Sequence, residues 1–320
     1  MSDEIMLTVI ITTHNLLEKN QLDDFNLLLS LLDRQTLMEM ETIVIDNQSN
    51  DGTIEVLKDY KNKGYLTFNS EKDTSKFEAF NKGVLRARGK YVTFLSCDDF
   101  VHDIKAYEMA VALMEEANAD FLMSTAYCKH PDGMVFEFPP AIYNLFQVSP
   151  CVRQSMVFKK SSIAKVDYFD EKFKIMADYD LIIRMVMNRC QPAILERNIV
   201  TCKFGEKSYA LTEKTNEEIA RIFFKNYRTL YKMTDDVIEE MINYSRFPKP
   251  LLEKLAEFYP PQDKQYFMDY AERMELIRTE AMKAVEAEKQ AKAEAVALEQ
   301  KQEEQSSGLS FGDNGGMFNF

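Results

Sequence analysis

The sequence predicts an α/β fold: a mostly parallel sheet flanked by helices, followed by a helical C-terminal region. Three observations carry this. Up to Asp99, short β-branched runs alternate with segments of helical periodicity, the pattern of a parallel sheet with crossover helices. Two of the apolar runs end in acids, one at Asp46 and one at Asp98-Asp99. From about residue 212 the strand signals stop and helical periodicity dominates.

Residues 7–13 (Leu-Thr-Val-Ile-Ile-Thr-Thr) read as a buried first strand, ended by His14-Asn15. Residues 22–35 carry leucines at helical spacing. Residues 41–46 form a second apolar strand, and a turn-rich loop at 47–53 leads into a short helix at 54–60. A third strand is expected at 65–68. Residues 76–88 read as a helix with Phe77, Phe80, Val84 and Leu85 on one side and Gly89 at its end. Residues 91–95 (Tyr-Val-Thr-Phe-Leu) suit a buried strand that runs into Ser96-Cys97-Asp98-Asp99. Right-handed crossovers bring these strand ends to one edge, the edge where open α/β sheets bind ligands. Thr12, Thr13, Asp46, Asp98 and Asp99 are therefore expected around one crevice.

A helix at 103–118, a strand at 120–125 and a hairpin across 127–138 follow, the hairpin turning at Pro131-Asp132-Gly133. Residues 139–150 look irregular. Residues 151–159 read as a strand, with a helix starting near Ser161-Ser162. Asp178 opens a strongly apolar helix, where an acid either caps free N–H groups or acts as a base, and can do both. Residues 193–204 add strands. We divide the chain into a sheet domain at 1–210, a helical subdomain at 211–262, a long charged helix at 263–305 and a glycine-rich tail at 306–320. Within 263–305, Tyr270, Met274, Ile277, Ala281, Ala284, Glu288, Ala291, Ala295 and Leu298 recur in steps of four and three, the spacing of a heptad seam. Its alanine-rich second half fits a solvated single helix as well as a coiled coil, so a homo-oligomer or a protein partner through 263–305 stays open. The tail is expected to be disordered, either inert or a short peptide ligand. If the long helix serves only assembly, truncation before Asp263 is expected to leave donor hydrolysis intact.

The formal net charge of −13 argues against nucleic acid as a partner. The acidic start does not read as a signal peptide, and no run of 18 apolar residues predicts a transmembrane span. Five scattered cysteines without CxxC spacing read as reduced thiols of a cytoplasmic protein, which could still be peripheral to a membrane through its acceptor. The three histidines are dispersed; His102 lies nearest the acid pair.

Adjacent Asp98 and Asp99 either cap a turn or hold a cation. There is no GxGxxG and no GxxxxGK[ST], so phosphate has no glycine-rich cradle. An acid-rich, glycine-poor site holds phosphate through a metal, with Mn²⁺ or Mg²⁺ the matching ions. That suits a nucleotide diphosphate as leaving group. Transfer of its attached group to a hydroxyl needs a base, and Asp178 is the candidate.

At this point the motifs resemble one family. Val9-Ile10-Ile11-Thr12-Thr13-His14-Asn15 resembles the opening strand of family 2 glycosyltransferases of the GT-A fold. Ile45-Asp46-Asn47-Gln48-Ser49-Asn50-Asp51-Gly52-Thr53 resembles their VDDGSTDGT segment, Ala79-Phe80-Asn81-Lys82-Gly83 their AxNxG, and Ser96-Cys97-Asp98-Asp99 their DxD-type metal motif in its SDD form. Arg153-Gln154-Ser155, then Phe169-Asp170-Glu171, then Ala177-Asp178-Tyr179-Asp180-Leu181 resembles the acceptor-side segment of a soluble, non-processive subgroup that reads HQ…FDE…ADYDL. The likeness covers roughly residues 5–205.

The resemblance implies a GT-A-type, Rossmann-like sheet and a set of roles. Thr12, Thr13, Asn15, Asp46, Asn81 and Asp98 would bind the nucleotide, Thr12 and Asp46 at the base, usually uracil, and Asp98 at the ribose. Asp99 would ligate the metal, and Asp178 would be the general base of an inverting displacement. Arg153, Gln154 and Asp180 would contact acceptor or donor. One hexosyl or N-acetylhexosaminyl group would pass from a nucleotide sugar, a UDP-sugar by resemblance, to a glycan acceptor of a surface polymer. Three departures stand out: Asn47 replaces the second acid of VDD, Arg153 replaces the histidine of HQ, and Ser96 stands where some members place another acid. With no Trp there is no QxxRW motif of processive polymerases. The alternative is a scaffold of the same fold that has lost catalysis and recruits a partner through its C-terminal helix and tail; retention of Asp46, Asp98, Asp99 and Asp178 argues against it. A sugar nucleotidyltransferase is disfavoured because its glycine-rich basic loop is missing. Donor selectivity is assigned to loops such as 71–76 and 139–150.

Overall fold

The computed structural model describes residues 4–203 and 213–308. Phe204, at the end of the last expected strand, and residues 309–320 of the glycine-rich tail lie outside the described residues.

Strands β1 (Leu7–Thr13), β2 (Met40–Asp46), β3 (Thr67–Ser70) and β4 (Tyr91–Ser96) alternate with helices α1 (Leu22–Asp33), α2 (Thr53–Asn62) and α3 (Lys76–Arg86). Then come α4 (Ala106–Glu116), β5 (Phe121–Lys129), β6 (Val135–Phe138), β7 (Met156–Lys159), α5 (Lys160–Lys165), α6 (Ala177–Met187) and β8 (Pro192–Lys203). All eight strands join one sheet in the order β3-β2-β1-β4-β7-β5-β6, with β8 beside β5. Strands β1 to β4 are parallel, as their crossover helices require. β7 runs antiparallel to both β4 and β5, and β6 antiparallel to β5, so the mostly parallel sheet has a mixed half. In the parallel half, Thr12 sits opposite Ile45 and Ser96, and Thr13 opposite Asp46. This register puts the polar strand ends on one edge.

β1 alternates its side chains between two cores. Leu7, Val9 and Ile11 pack with Leu28 and Leu32 of α1; Ile10 packs with Phe80 and Val84 of α3. Gly83 lets α3 approach, since a Cβ there would come within 2.4 Å of Ile10 Cγ2. Ser75 caps α3 by accepting from the Glu78 N–H, while Glu78 accepts from the Thr74 N–H at 2.7 Å.

Some expected boundaries move for identifiable reasons. α3 ends at Arg86, so Gly89 is no helix cap; a Cβ on it would lie 2.6 Å from the backbone nitrogen of Thr8. Residues 151–159 do not form one strand. Arg153–Ser155 is a 3-10 turn, because Ser155 bonds back to the Val152 carbonyl through both its N–H and its hydroxyl. β3 begins two residues later than expected, and α4 starts at Ala106 after Asp103 accepts from the Lys105 N–H. All five cysteines are buried free thiols, and the Cys128 and Cys202 sulfurs lie 3.7 Å apart across β5 and β8. His102 stacks on Phe100.

The C-terminal helices are α7 (Glu213–Tyr227), α8 (Asp235–Tyr244), α9 (Lys249–Ala256) and α10 (Lys264–Gly308). Their apolar faces share a core with the sheet: Phe223, Tyr227, Leu251 and Phe267 belong to the cluster that holds Ile10 and Phe94. Phe146 meets Tyr227, Tyr259 and Phe267 edge to face. α10 is therefore anchored by its first two turns, through Phe267 and Ala271, while Leu276, Ile277 and Val285 are exposed. This moves the safe truncation point. Cutting before Asp263 removes the fully buried Phe267, so the protein is expected to melt lower; cutting after Arg278 is expected to leave the melting temperature unchanged. Phe267→Ala alone should cost about 3–5 kcal/mol in denaturant unfolding, and a loss below 1 kcal/mol would refute the anchoring role. Among the described residues, no helix is long and apolar enough to cross a membrane.

Candidate active site at the carboxyl edge of the sheet

The chain leaves β1 through Asn15, whose φ of 51° places it in the left-handed region that Asn tolerates. Its N–H donates to Ser49 Oγ at 2.8 Å, its Nδ2 to Glu18 at 2.6 Å, and its Oδ1 accepts from the Asn50 N–H at 3.1 Å. Asn15 thus ties the loop after β1 to the loop after β2. Asp46 is fully buried beneath that loop. Its carboxylate accepts from the Ser49 N–H and hydroxyl and from the Ser70 hydroxyl. Asp46 therefore fastens the ends of β2 and β3 together, and it does not line the adjoining cavity.

That cavity, about 220 Å³, is lined by Thr12, Thr13, His14, Asn47, Asp73 and Lys76 among others, with Cys97 on the β4 side. Asp73 and Lys76 were not singled out from sequence. The only signal for them is their place in the 71–76 loop assigned to donor selectivity. Lys76 is exposed as a residue. Desolvation of its ammonium by the surrounding walls, followed by the charge of Arg153, lowers its pKa to about 8. Because the side chain reaches solvent, it is the direction that matters: an ammonium beside a guanidinium gives up its proton more readily.

Asp99 is buried just past β4. Its Oδ2 accepts from the Ser96 N–H at 2.6 Å and its Oδ1 from Gln154 at 3.5 Å. Burial pushes its pKa up to about 7; Asp98 adds to this, while the Ser96 N–H and Arg153 oppose it. Asp98 is more exposed and faces Lys203 at 3.8 Å. Among the described residues, no group of three or more His, Cys, Asp or Glu side chains could hold an ion alone. Two carboxylates supply hard oxygen ligands, too few for a closed cage. That donor set fits a divalent ion that brings phosphate oxygens and waters with it.

The 3-10 turn at 153–155 joins the two acidic regions. Gln154 reaches Asp99, while Arg153 Nη1 lies 3.7 Å from Asp178 Oδ2. The Arg153 guanidinium stacks over Phe80 at 4.8 Å, and its Nε is buried without a partner. Asp178 stands in the first turn of α6, with its side chain 19% exposed. It is not the helix cap; the N-cap residue is Met176. Glu218 of α7 holds the approach to α6, accepting from the N–H groups of Lys174, Ile175 and Met176. No sequence signal pointed to Glu218, because the pairing spans more than 40 residues. Asp178 Oδ1 accepts the Tyr179 N–H at 2.9 Å, and its Oδ2 faces Arg153.

Two other predicted site residues are taken up by the scaffold. Asp180 is fully buried and bonded to Arg184 at 2.7 Å, to Lys225 at 3.0 Å and to Asn226 at 3.0 Å. Asn81 grips Phe169, donating to its carbonyl and accepting from its N–H, each at 3.0 Å, and so clamps the Phe169-Asp170-Glu171 segment to α3.

Residues 8–158 match the family model described as Glycosyl transferase family 2. The chain is 25% identical over 228 residues to an uncharacterized glycosyltransferase of Methanocaldococcus jannaschii, a match that covers 68% of this chain and 77% of that protein. Among solved structures it is similar to S. aureus TarS 1–349 in complex with UDP-GlcNAc, with a TM-score of 0.56, 17% identity, and 85% of this chain and 89% of that one covered. It spans 54% of the longer TarS chain. It is also similar to the mannosyltransferase PcManGT from Pyrobaculum calidifontis in complex with GDP-Man and Mn²⁺, with a TM-score of 0.53, 17% identity, and 92% of this chain and 81% of that one covered. At these identities the structural likeness is one of fold.

Proposed function

As a glycosyltransferase with a family 2 domain over residues 8–158, the protein is, we propose, an inverting, metal-dependent enzyme. It moves one sugar from a UDP-sugar to a hydroxyl of a glycan acceptor. The observation that carries this reading is the Arg153-Gln154 turn. Consecutive residues touch Asp99 on one side and Asp178 on the other, so donor and acceptor ends share one short wall. The structural relatives bound to UDP-GlcNAc and to GDP-Man with Mn²⁺ support a nucleotide-sugar donor. The acceptor-side motif ending in Ala177-Asp178-Tyr179-Asp180-Leu181 supports a single-transfer enzyme.

In this mechanism Asp99, with Asp98 beside it, would hold the ion, and Mn²⁺ or Mg²⁺ would supply positive charge against the departing diphosphate. Thr12 and Thr13 line the nucleotide end. Asn15, Asp46 and Asn81 act on the nucleotide indirectly, by holding the loops around it. Lys76 and Arg153 face the same negative charge from the protein side. Arg153 also orients Asp178 through their ion pair. Asp178 takes the proton of the acceptor hydroxyl as that oxygen attacks the anomeric carbon, and the bond to the diphosphate breaks on the opposite face. Asp180, locked to Lys225 and Arg184, keeps α6 fixed against α7.

The test is a screen of nucleotide sugars for diphosphate release with and without Mn²⁺ or Mg²⁺. Release from a UDP-sugar that requires the ion and accelerates with a glycan acceptor is expected. No metal-dependent release from any nucleotide sugar would favour the scaffold alternative.

A further inference from the structure

Only one face of the long helix α10 is used by the body of the protein. Phe267 and Ala271 are buried against the core, and Glu275 pairs with Arg246 at 2.8 Å. At roughly 3.6 residues per turn, Ile277, Ala281 and Ala284 fall about a third of a turn round the helix from that docked face. Ile277 is 50% exposed, and both alanines are exposed as well. The same free face begins at Tyr266 and Tyr270, which line a groove of about 540 Å³ together with Tyr127 and Tyr143. From Lys283 to Glu294 every described side chain is exposed. A helix that projects into solvent is held by frequent ion pairs between successive turns or by a partner. Among the described residues of that stretch the only ion pair is Glu288 with Lys292, at 2.7 Å.

We propose that this face pairs with the same face of a second copy of the chain, the two α10 helices running antiparallel. In the register that fits, Met274 of one copy lies opposite Ala291 of the other, Ile277 opposite Glu288, and Ala281 opposite Ala284. Charge decides the direction. A parallel pair in register would press the two Glu288 carboxylates together in the seam and set Arg273 of one copy beside Arg278 of the other. In the antiparallel register the two Glu288 side chains lie apart, each beside Ile277 and Arg278 of the other copy, and Arg273 of each copy meets Glu294 of the other. Arg273 and Arg278 have no ion pair within the chain among the described residues. Sliding the helices by one heptad in either direction faces Glu280 with Glu294 of the other copy or with its own counterpart, so charge also selects the register. The alanines at the centre let the two backbones approach closely. The overlap from Ala271 to Glu294 is about 36 Å long. Beyond it, the end of each helix runs toward Tyr270 and Tyr266 of the other copy, where the tyrosine groove provides a floor.

The test uses the full chain, read by sedimentation and by distances between spin labels. Wild type is expected to sediment as a dimer that dissociates on dilution, and Ile277→Asp as a monomer with a single cooperative melting transition. Arg273→Glu is expected to weaken the dimer roughly 3- to 10-fold, and adding Glu294→Arg to the same chain to restore it. The native cysteines are all buried, so one introduced surface cysteine takes the label. Labels on Glu280→Cys are expected within about 20 Å of each other, and labels on Glu272→Cys beyond about 35 Å. Separations below about 30 Å at both sites would mark a parallel pair and overturn the proposal. A wild type that stays monomeric at every concentration would overturn it, as would an Ile277→Asp variant that remains a dimer, which would place the contact elsewhere on the molecule. Failure of the charge swap to restore the dimer would overturn the register.

Discussion

Asp178→Asn is expected to lower sugar transfer by about 10²–10⁴-fold while leaving UDP affinity within about threefold of wild type. The substitution is close to isosteric. An amide oxygen can still accept the Tyr179 N–H that Asp178 Oδ1 accepts at 2.9 Å, and Glu218 continues to hold the segment leading into α6. What disappears is the proton acceptor and the charge facing Arg153 at 3.7 Å. The loss should therefore fall on turnover. Initial rates at saturating donor, together with UDP titration of the same preparation, separate the two. Intact transfer in a folded Asp178→Asn variant would remove Asp178 from the mechanism and return it to the first turn of a helix, where an acid is favourable in any case.

The second large effect concerns Asp99. Mn²⁺ with UDP is expected to raise the melting temperature of the wild type by roughly 5 °C at a hundredfold excess over Kd. Asp99→Ala should abolish the metal-dependent part of that shift. The pH dependence has a definite sign. Burial raises the Asp99 pKa to about 7, so the folded protein favours the protonated form. Without metal, the cost of ionising Asp99 grows as pH rises from the ordinary carboxylate range to about 7 and then levels off. Since a cation needs the ionised carboxylate, the metal-dependent gain should be largest above pH 7 and shrink as pH falls below it. A gain that is the same at pH 5.5 and pH 8, or that survives in Asp99→Ala, would place the ion elsewhere.

Much of the scaffold is legible in the sequence because its signals are local. The β-branched runs at 7–13, 41–46 and 91–95 coincide with strands in one parallel sheet, and the apolar period of 76–88 with a helix. The resemblance in five short motifs points to the family whose model matches residues 8–158. Boundaries fail where a side chain competes with the backbone pattern. Ser155 folds back on Val152 and turns half of an expected strand into the 3-10 turn that carries Arg153 and Gln154. Gly89 reads as a helix end from its residue type, yet its reason is the backbone of Thr8. The division into separate C-terminal units also blurs. Phe223, Leu251 and Phe267 have helical spacing that reveals an apolar face but not what that face covers, and they pack into the core of the sheet.

The sequence by itself determined the class of sheet, the edge on which its acids gather and the identity of the acids. Those follow from periodicity, strand order and residue type. Only the tertiary structure decided which acids are free to act. Asp46, Asp98, Asp99, Asp178 and Asp180 look alike in a sequence, but a carboxylate's chemistry depends on what fills its lone pairs and how much water it keeps. Ser49 and Ser70 close off Asp46; Arg184, Lys225 and Asn226 close off Asp180. Glu218, arriving from another helix, holds the segment before α6, and Asp178 faces Arg153. Asp73, in an unremarkable loop, gives one oxygen to Lys82 and leaves the other buried without a hydrogen-bond partner. Ser70, Lys225 and Asn226 lie 24 to 46 residues away along the chain from the acids they meet. No local pattern records such pairings, because they arise only when the elements pack.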